Sequence, residues 1–491
     1  MSFRKVGTAL AVVAMVSGCG GGGGSSSGGG GDGLMPPPTG TIPTPPPPPP
    51  ATTAGCSLRE RQDWAAAQLN EWYLFPETLP TTLSPAGFST VDAYIDAMTA
   101  TARSQGRDRF FTYITSIAEE NAFFNSGSSA GFGFRLSYDT AGRRVLVAET
   151  FEGTPAINAG IDRGSEITAI GTSASNLQTV SSLMAASGPQ GVVNALGPSD
   201  PGVTRVLRIL GPDGTSRDVT ISKADYELTP VSSRYGARIL DDNGRKVGYI
   251  NLRTFIGTAD PALRAAFGQL QAQGVTEVIL DLRYNGGGLV RIAELIGDLM
   301  GRNRSASDVF SYTAFRPSKS QFDETRLFRP QAQSIAPTKV AFIGTGGSAS
   351  ASEMVINSFI PYLRTNMALV GTNTFGKPVG QIALDRASCD DRLRVVAFAT
   401  QNAERQGDYF QGLASKVPVS CRAGDDLTRA LGDPREESIA RALDFLAGRG
   451  CSAIAGDGAR TQSVDRIRTS EMELLSPERP SAAQRETPGL F

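Results

Sequence analysis

Val340-Ala341-Phe342-Ile343-Gly344-Thr345-Gly346-Gly347-Ser348-Ala349-Ser350-Ala351-Ser352-Glu353 is the stretch on which the reading of the fold turns. The apolar run Val340 to Gly344 reads as a buried strand, and the small residues after it lead into a helix from about Ser350 to Ile360. Upstream, Val247 to Leu252 reads as a strand. Asp260-Pro261 opens a helix running to Gln273, Gly274 stops it, and Glu277 to Leu282 is a second buried strand. That is a βαβ unit. Ala368 to Val370 and Arg394 to Ala399 read as further strands, and a closing helix starts at Asp433-Pro434 with Ile439, Ala442, Leu443 and Leu446 on one stripe. The fold class expected for this half of the chain is therefore α/β.

The 491 residues carry 47 Lys+Arg against 48 Asp+Glu and no histidine. The missing imidazole excludes a Ser-His-Asp triad, a Cys-His pair and every histidine-ligated metal, so catalysis must fall to Lys, Asp, Glu, Tyr, Ser or Cys. A net charge of -1 without any dense basic run argues against a nucleic-acid partner. Acidic pairs such as Asp390-Asp391 and Asp425-Asp426 read as solvated, so no metal site and no cofactor is expected.

Three turns of the α/β half could hold chemistry. In Asp281-Leu282-Arg283-Tyr284-Asn285-Gly286-Gly287-Gly288 a strand ends in glycines before a helix, where backbone N–H groups can approach a phosphate or a developing oxyanion. In Gly346 to Glu353 one serine hydroxyl can stand exposed at a helix entrance. In Thr374-Phe375-Gly376-Lys377-Pro378-Val379-Gly380-Gln381 a lysine sits among poorly hydrating neighbours. An ordinary lysine, at roughly 10.4, is no base near neutrality, but desolvation lowers it by up to several units, and a neutral amine can then take a proton from a serine hydroxyl.

Residues 56–125 read as a helical N-terminal module. Ser57 and Glu60 form a capping box, Leu58, Trp64, Leu69 and Trp72 form a stripe, and Val91, Tyr94, Ile95 and Met98 repeat the spacing. Residues 126–225 read as a β-rich domain, with Gly131-Phe132-Gly133-Phe134, Arg144 to Val147, Ile167 to Ile170, Arg205 to Leu210 and Asp218 to Ile221 as short strands, and Pro155 to Ile161 as a short helix.

The order of these last pieces resembles a PDZ domain. Gly131, Phe132, Gly133 and Phe134 match its carboxylate-binding loop, which implies capture of a peptide as an added strand. With the three turns following in order, residues 56 to 450 resemble the C-terminal processing (tail-specific) proteases. The resemblance implies an α/β (α+β) chain whose residues 226–451 form a crotonase-like Ser/Lys protease core. It implies Ser350 as nucleophile, Lys377 as general base and Gln381 as the residue orienting it. The N–H groups of Ala351 and Gly288, with Gly287 as the alternative, would form the oxyanion hole. The substrates implied are protein or peptide C-terminal tails. The sequence departs from the family pattern in three places: the 27-residue gap from Ser350 to Lys377 is longer than usual, Pro361 is expected to interrupt the intervening helix, and Pro378 stands where glycine commonly follows the lysine. These departures keep open a catalytically inactive, peptide-binding alternative.

At the start, Arg4-Lys5, an apolar stretch to Val16 and Val16-Ser17-Gly18-Cys19 make residues 1–18 a signal peptide. The tetrapeptide resembles a bacterial lipobox, which implies lipidation of Cys19, membrane attachment through that lipid, and a place in the cell envelope, the outer membrane favoured by Gly20. Residues 19–55 read as a Gly/Ser/Pro-rich tether, and residues 452–491 as a disordered tail. Within that tail, Gly489-Leu490-Phe491 has the apolar character that a PDZ groove accepts, so self-docking or self-trimming is a further expectation. Cys56, Cys389, Cys421 and Cys451 remain for two disulfides with three possible pairings. Cys389 with Cys421 and Cys56 with Cys451 are the expected pairs.

Overall fold

Strands that are apolar on both sides need covering on both sides, and the central sheet is covered in that way. The structure, a computed structural model, describes residues 54–455 and 472–491. The expected signal peptide, Cys19 and nearly all of the tether lie outside the described residues. The central sheet has the strand order Ala237–Asp242, Arg245–Asn251, Glu277–Asp281, Lys339–Gly344, Met367–Gly371, Ser420–Arg422. The first pair is antiparallel and the rest are parallel. Ile250, Leu280, Phe342 and Leu369 face helices Ala259–Ala272, Val290–Leu299 and Ala351–Leu363. Their sequence neighbours Tyr249, Ile279, Ile343 and Val370 face the closing helix Glu437–Leu446. The α/β expectation holds. Register pairs Asp281 with Ile343 and Gly344 with Gly371, so the glycine turn and the serine turn leave the sheet side by side at its carboxyl edge.

Helix Ala351–Leu363 runs through Pro361 without breaking, against the expectation of an interruption. Proline forfeits the bond to the carbonyl four residues back. That carbonyl, on Asn357, accepts instead from the Asn402 side-chain amide at 3.3 Å.

A second sheet holds the lysine. Its central strand, Asp391–Gln401, pairs antiparallel with Val379–Arg386, Tyr113–Ser116 and Val309–Phe315. The segment Arg394 to Ala399, grouped with the α/β strands by sequence, belongs to this separate sheet. The N-terminal helices Leu58–Trp72 and Val91–Met98 form as expected, with Ser57 and Glu60 capping the first. They bury Leu69, Tyr94, Ile95 and Met98 against Val379, Leu393, Val395 and Val396 of that sheet, so module and sheet share one core.

Between them in sequence lies an antiparallel sheet of Phe134–Asp139, Arg144–Thr150, Glu166–Gly171, Thr204–Leu210 and Ser216–Ser222. Helix Val180–Leu196 packs on it, with Met184, Val192 and Leu196 buried beside Phe132, Phe134 and Ile170. The sequence reading missed this helix because Gly188-Pro189 breaks its periodicity, and the backbone is non-helical at Ser187 and Gly188. The tail also differs from expectation. Within the segment read as disordered, Glu473–Leu474 adds a strand to the edge of this sheet and Ala482–Glu486 is a helix.

The disulfides are Cys56–Cys389 and Cys421–Cys451, the pairing not favoured from sequence. Helix Leu58–Trp72 lies on strand Asp391–Gln401, where Arg61 pairs with Asp391 at 2.5 Å, and this brings Cys56 to Cys389 at the strand's start. Cys421 lies in the edge strand of the central sheet, and Arg422 N–H donates to Ser452 C=O at 2.7 Å beside Cys451. Non-reducing peptide mapping should recover these two linkages, and a Cys389–Cys421 peptide would overturn them. Replacing Cys56 and Cys389 with serine should cost about 2–5 kcal/mol of unfolding free energy.

Candidate active site

The serine turn is strained. Ser350 has φ 55°, the left-handed side that a residue with a Cβ rarely occupies, at a cost of about 1–3 kcal/mol unless the surroundings enforce it. Two bonds hold it: its own N–H donates to Glu353 Oε2 at 3.1 Å, and its carbonyl accepts from Met354 N–H at 2.8 Å. Ser348 Oγ donates to Leu282 C=O at 2.7 Å, tying this turn to the glycine turn. The Asn285 carbonyl completes that tie by accepting from Ala349 N–H at 3.0 Å and Ser352 Oγ at 2.9 Å. Ser350 is left partly exposed at the entrance of helix Ala351–Leu363.

The glycine turn fits against it. A Cβ on Gly287, which has φ 119°, would lie 2.8 Å from Ser350 Cβ, so a side chain there would displace the serine. Gly287 N–H is already engaged, donating to Asn285 Oδ1 at 3.0 Å. The N–H groups of Gly288 and Ala351 find no acceptor among the described residues. Of the glycines considered from sequence, Gly288 therefore has the available donor and Gly287 does not.

Lys377 precedes strand Val379–Arg386. Its Nζ donates to Gln381 Oε1 at 2.8 Å and lies 5.1 Å from the Phe111 ring centre. Gln381 sits at a bulge after Gly380 and donates its amide to the Phe111 carbonyl. Burial pushes Lys377 below the ordinary lysine value, partly offset by the Glu486 carboxylate nearby. Lys377 and the Ser350 hydroxyl form no hydrogen bond in this arrangement. The Pro378 carbonyl accepts from Thr400 N–H at 2.9 Å.

Sequence reasoning quoted Glu353 without giving it a task. Its fully buried carboxylate accepts from Thr374 Oγ1 at 2.6 Å, Gly376 N–H at 2.6 Å, Lys377 N–H at 2.7 Å and Ser350 N–H at 3.1 Å. One side chain thus fixes both the serine turn and the lysine loop. Burial still pushes its pKa up, with the hydrogen bonds opposing. The signal that could have found it is the Ser-x-x-Glu spacing of a capping box.

The loop Gly131 to Phe134 is occupied by the chain's own Phe491. Gly133 and Phe134 N–H groups donate to Phe491 C=O at 2.9 and 3.3 Å, and Phe491 N–H donates to Phe134 C=O at 3.0 Å. The Phe491 ring is buried with Phe132, Phe134 and Val192. Leu136 N–H donates to Gly489 C=O at 2.8 Å, which continues the strand-like pairing. The docking expected of Gly489-Leu490-Phe491 is thus found. A cleft lined by Lys377, Gly286, Ala349, Arg485 and Glu486 runs past all three turns and reaches Phe491.

Residues 246–410, which include all three turns, match the model of Peptidase family S41. The C-terminal processing peptidase of Tetradesmus obliquus chloroplasts is 29% identical over 280 residues, covering 53% of this chain and 54% of its own. The carboxyl-terminal-processing peptidase 3 of Arabidopsis thaliana chloroplasts is 29% identical over 337 residues, 67% of this chain and 61% of its own. The matches thus span little more than half the length of these relatives. A crystal structure from Bacteroides fragilis assigned to the S41 proteases shares the fold, with TM-score 0.60 and 24% identity over 78% of this chain and 97% of that one. The S41 match thus spans the serine, glycine and lysine turns, and both of these relatives, to which the chain is similar, are C-terminal processing peptidases.

Proposed function

We propose that this chain is a serine endopeptidase that cuts proteins near their C-terminal tails with a Ser350/Lys377 dyad. The observation that carries the reading is the single carboxylate of Glu353 holding a strained serine and a desolvated lysine loop beside two unengaged amides. Ser350 Oγ attacks the scissile carbonyl while neutral Lys377 takes its proton. The Ala351 and Gly288 N–H groups receive the developing oxyanion. Lys377 then gives the proton to the departing amine, and water repeats the sequence on the acyl-enzyme. Gln381 positions the amine by accepting from it, and its own amide is fixed on Phe111. The Gly131 to Phe134 loop receives the substrate's terminal residue as an added strand. Cys19 carries the lipid that attaches the enzyme to the bacterial envelope, with the Gly/Ser/Pro-rich segment as spacer.

Lys377 donating to Gln381, and not to Ser350, is what favours the second reading, a peptide-binding lipoprotein without turnover. Kinetics on a tail peptide separates the two. Ser350→Ala and Lys377→Ala should each lower kcat by about 10⁴-fold or more, and the double variant should be hardly worse than either, because the groups act as a unit. Unchanged hydrolysis by Ser350→Ala would end the dyad assignment.

The pH dependence follows from the form of lysine required. Deprotonated Lys377 is the base, so kcat/KM should rise with pH through its ionisation and level off above it. The midpoint should fall below the ordinary 10.4 because burial disfavours the ammonium. A midpoint at or above 10.4 would contradict the desolvated environment. Glu353→Gln replaces an acceptor oxygen by a donor that faces N–H groups. It should lower kcat by about 10- to 100-fold with KM little changed, and a rise in KM alone would show that the carboxylate does not set the dyad.

A further inference from the structure

The strand Glu473–Leu474, the helix Ala482–Glu486 and the run to Phe491 form one continuous return path across the molecule. Leu475 N–H donates to Leu136 C=O at 3.0 Å, extending the pairing begun by Glu473 and Leu474. The chain then crosses the glycine turn. Gly286 N–H donates to Glu486 C=O at 3.0 Å, and a Cβ on Gly286 would come within 2.2 Å of Arg485 C=O, so the two backbones touch. Arg485 lies over the Tyr113 ring at 3.8 Å and donates to Phe110 C=O at 3.1 Å. Beyond it, the buried Arg135 guanidinium donates to Pro488 C=O at 2.6 Å and to Tyr284 C=O at 2.8 Å, joining tail and glycine turn through one side chain.

Glu486 is the residue the cleft has no other use for. It is 7% exposed, its Oε2 has no hydrogen-bond partner among the described residues, and Lys377 is the largest of its charged neighbours' influences. A carboxylate beside Lys377 favours the charged ammonium, the form that cannot accept a proton. The crossing is also out of register for cleavage. The Glu486 carbonyl is bound at Gly286 N–H, whereas the Gly288 and Ala351 N–H groups remain empty.

We propose that residues 473–491 are an intramolecular plug. They fill the peptide groove with Phe491, cover the Ser350/Lys377 cleft with Arg485 and Glu486, and must be displaced by a substrate tail before turnover. The proposal rests on the protease reading for its effect on rate, but the docking itself does not. A tethered segment competes at an effective concentration of about 1 mM, so a free tail of equal intrinsic affinity at about 10 µM faces a disadvantage of about 100-fold.

The test uses the full chain, a variant lacking residues 481–491, and Phe491→Asp, which keeps the segment but places a charge in an apolar pocket. Thermal melting would confirm that each is folded. Hydrolysis of a tail peptide should rise about 10- to 100-fold in both variants, and a synthetic Ser481–Phe491 peptide added to the shortened enzyme should bring the rate back down. In parallel, the labelled Ser481–Phe491 peptide should bind a shortened Ser350→Ala protein at least 10-fold more tightly than full-length Ser350→Ala. Equal peptide binding by the two would overturn the plug. A binding difference with no hydrolysis by any form would leave the plug standing and refute the protease reading. Mass spectrometry of aged protein should show wild type and Ser350→Ala each at its own full-length mass, the two differing only by the serine oxygen. Loss of the tail from wild type alone would make it a substrate and overturn the plug.

Discussion

The site depends on the carboxylate of Glu353. Four donors from two separated segments converge on its two oxygens. A buried acceptor with fewer partners would be costly, and each donor left without it would be costly too. The serine turn and the lysine loop leave neighbouring strands of the central sheet, with Gly344 opposite Gly371, and Phe375 N–H donates to Ser348 C=O at 2.9 Å. The Glu353 side chain adds its four bonds to that backbone frame. Its burial raises its pKa, and the surrounding N–H groups are what keep an acceptor there in usable form.

A second constraint acts on the glycine turn. Arg283 is fully buried and donates to Asp281 at 3.0 Å, Glu436 at 2.8 Å and Asp425 at 3.0 Å. On the other side Glu149 is shared between Arg135 and Arg253. Removing one member of such a cluster leaves a desolvated charge behind and is more damaging than a surface ion pair would suggest. The clusters join the antiparallel sheet of Phe134–Asp139 and Arg144–Thr150 to the central sheet through Tyr284, whose carbonyl Arg135 also binds. The hold on Pro488 and the placement of the glycine turn thus share the Arg135 side chain.

What was legible in the sequence was local. The strands on either side of the serine turn are continuous apolar runs, the helices start with capping residues, and Gly286 to Gly288 announce a close backbone approach. Ser350, Lys377 and Gln381 came from resemblance to a family, and the structure brings Lys377 and Gln381 into contact. What could not be read was non-local. Glu353 gains three of its four donors from residues 21 to 24 positions downstream. Helix Val180–Leu196 is hidden by Gly188-Pro189. The tail lacks periodicity because Leu475, Leu490 and Phe491 are each buried against other parts of the chain, in two separate clusters. The cysteine pairs follow from which helix lies on which strand, and spacing does not encode that.

The amide of Gln381 rests on the carbonyl of Phe111, 270 residues earlier in the chain. A protein emerging from the ribosome amino end first therefore completes its lysine pocket only after its last long strands have been made. Until then Gln381 has no Phe111 carbonyl and strand pairing to hold it, and Lys377 lacks the fixed acceptor that orients its amine, whatever the state of the serine turn.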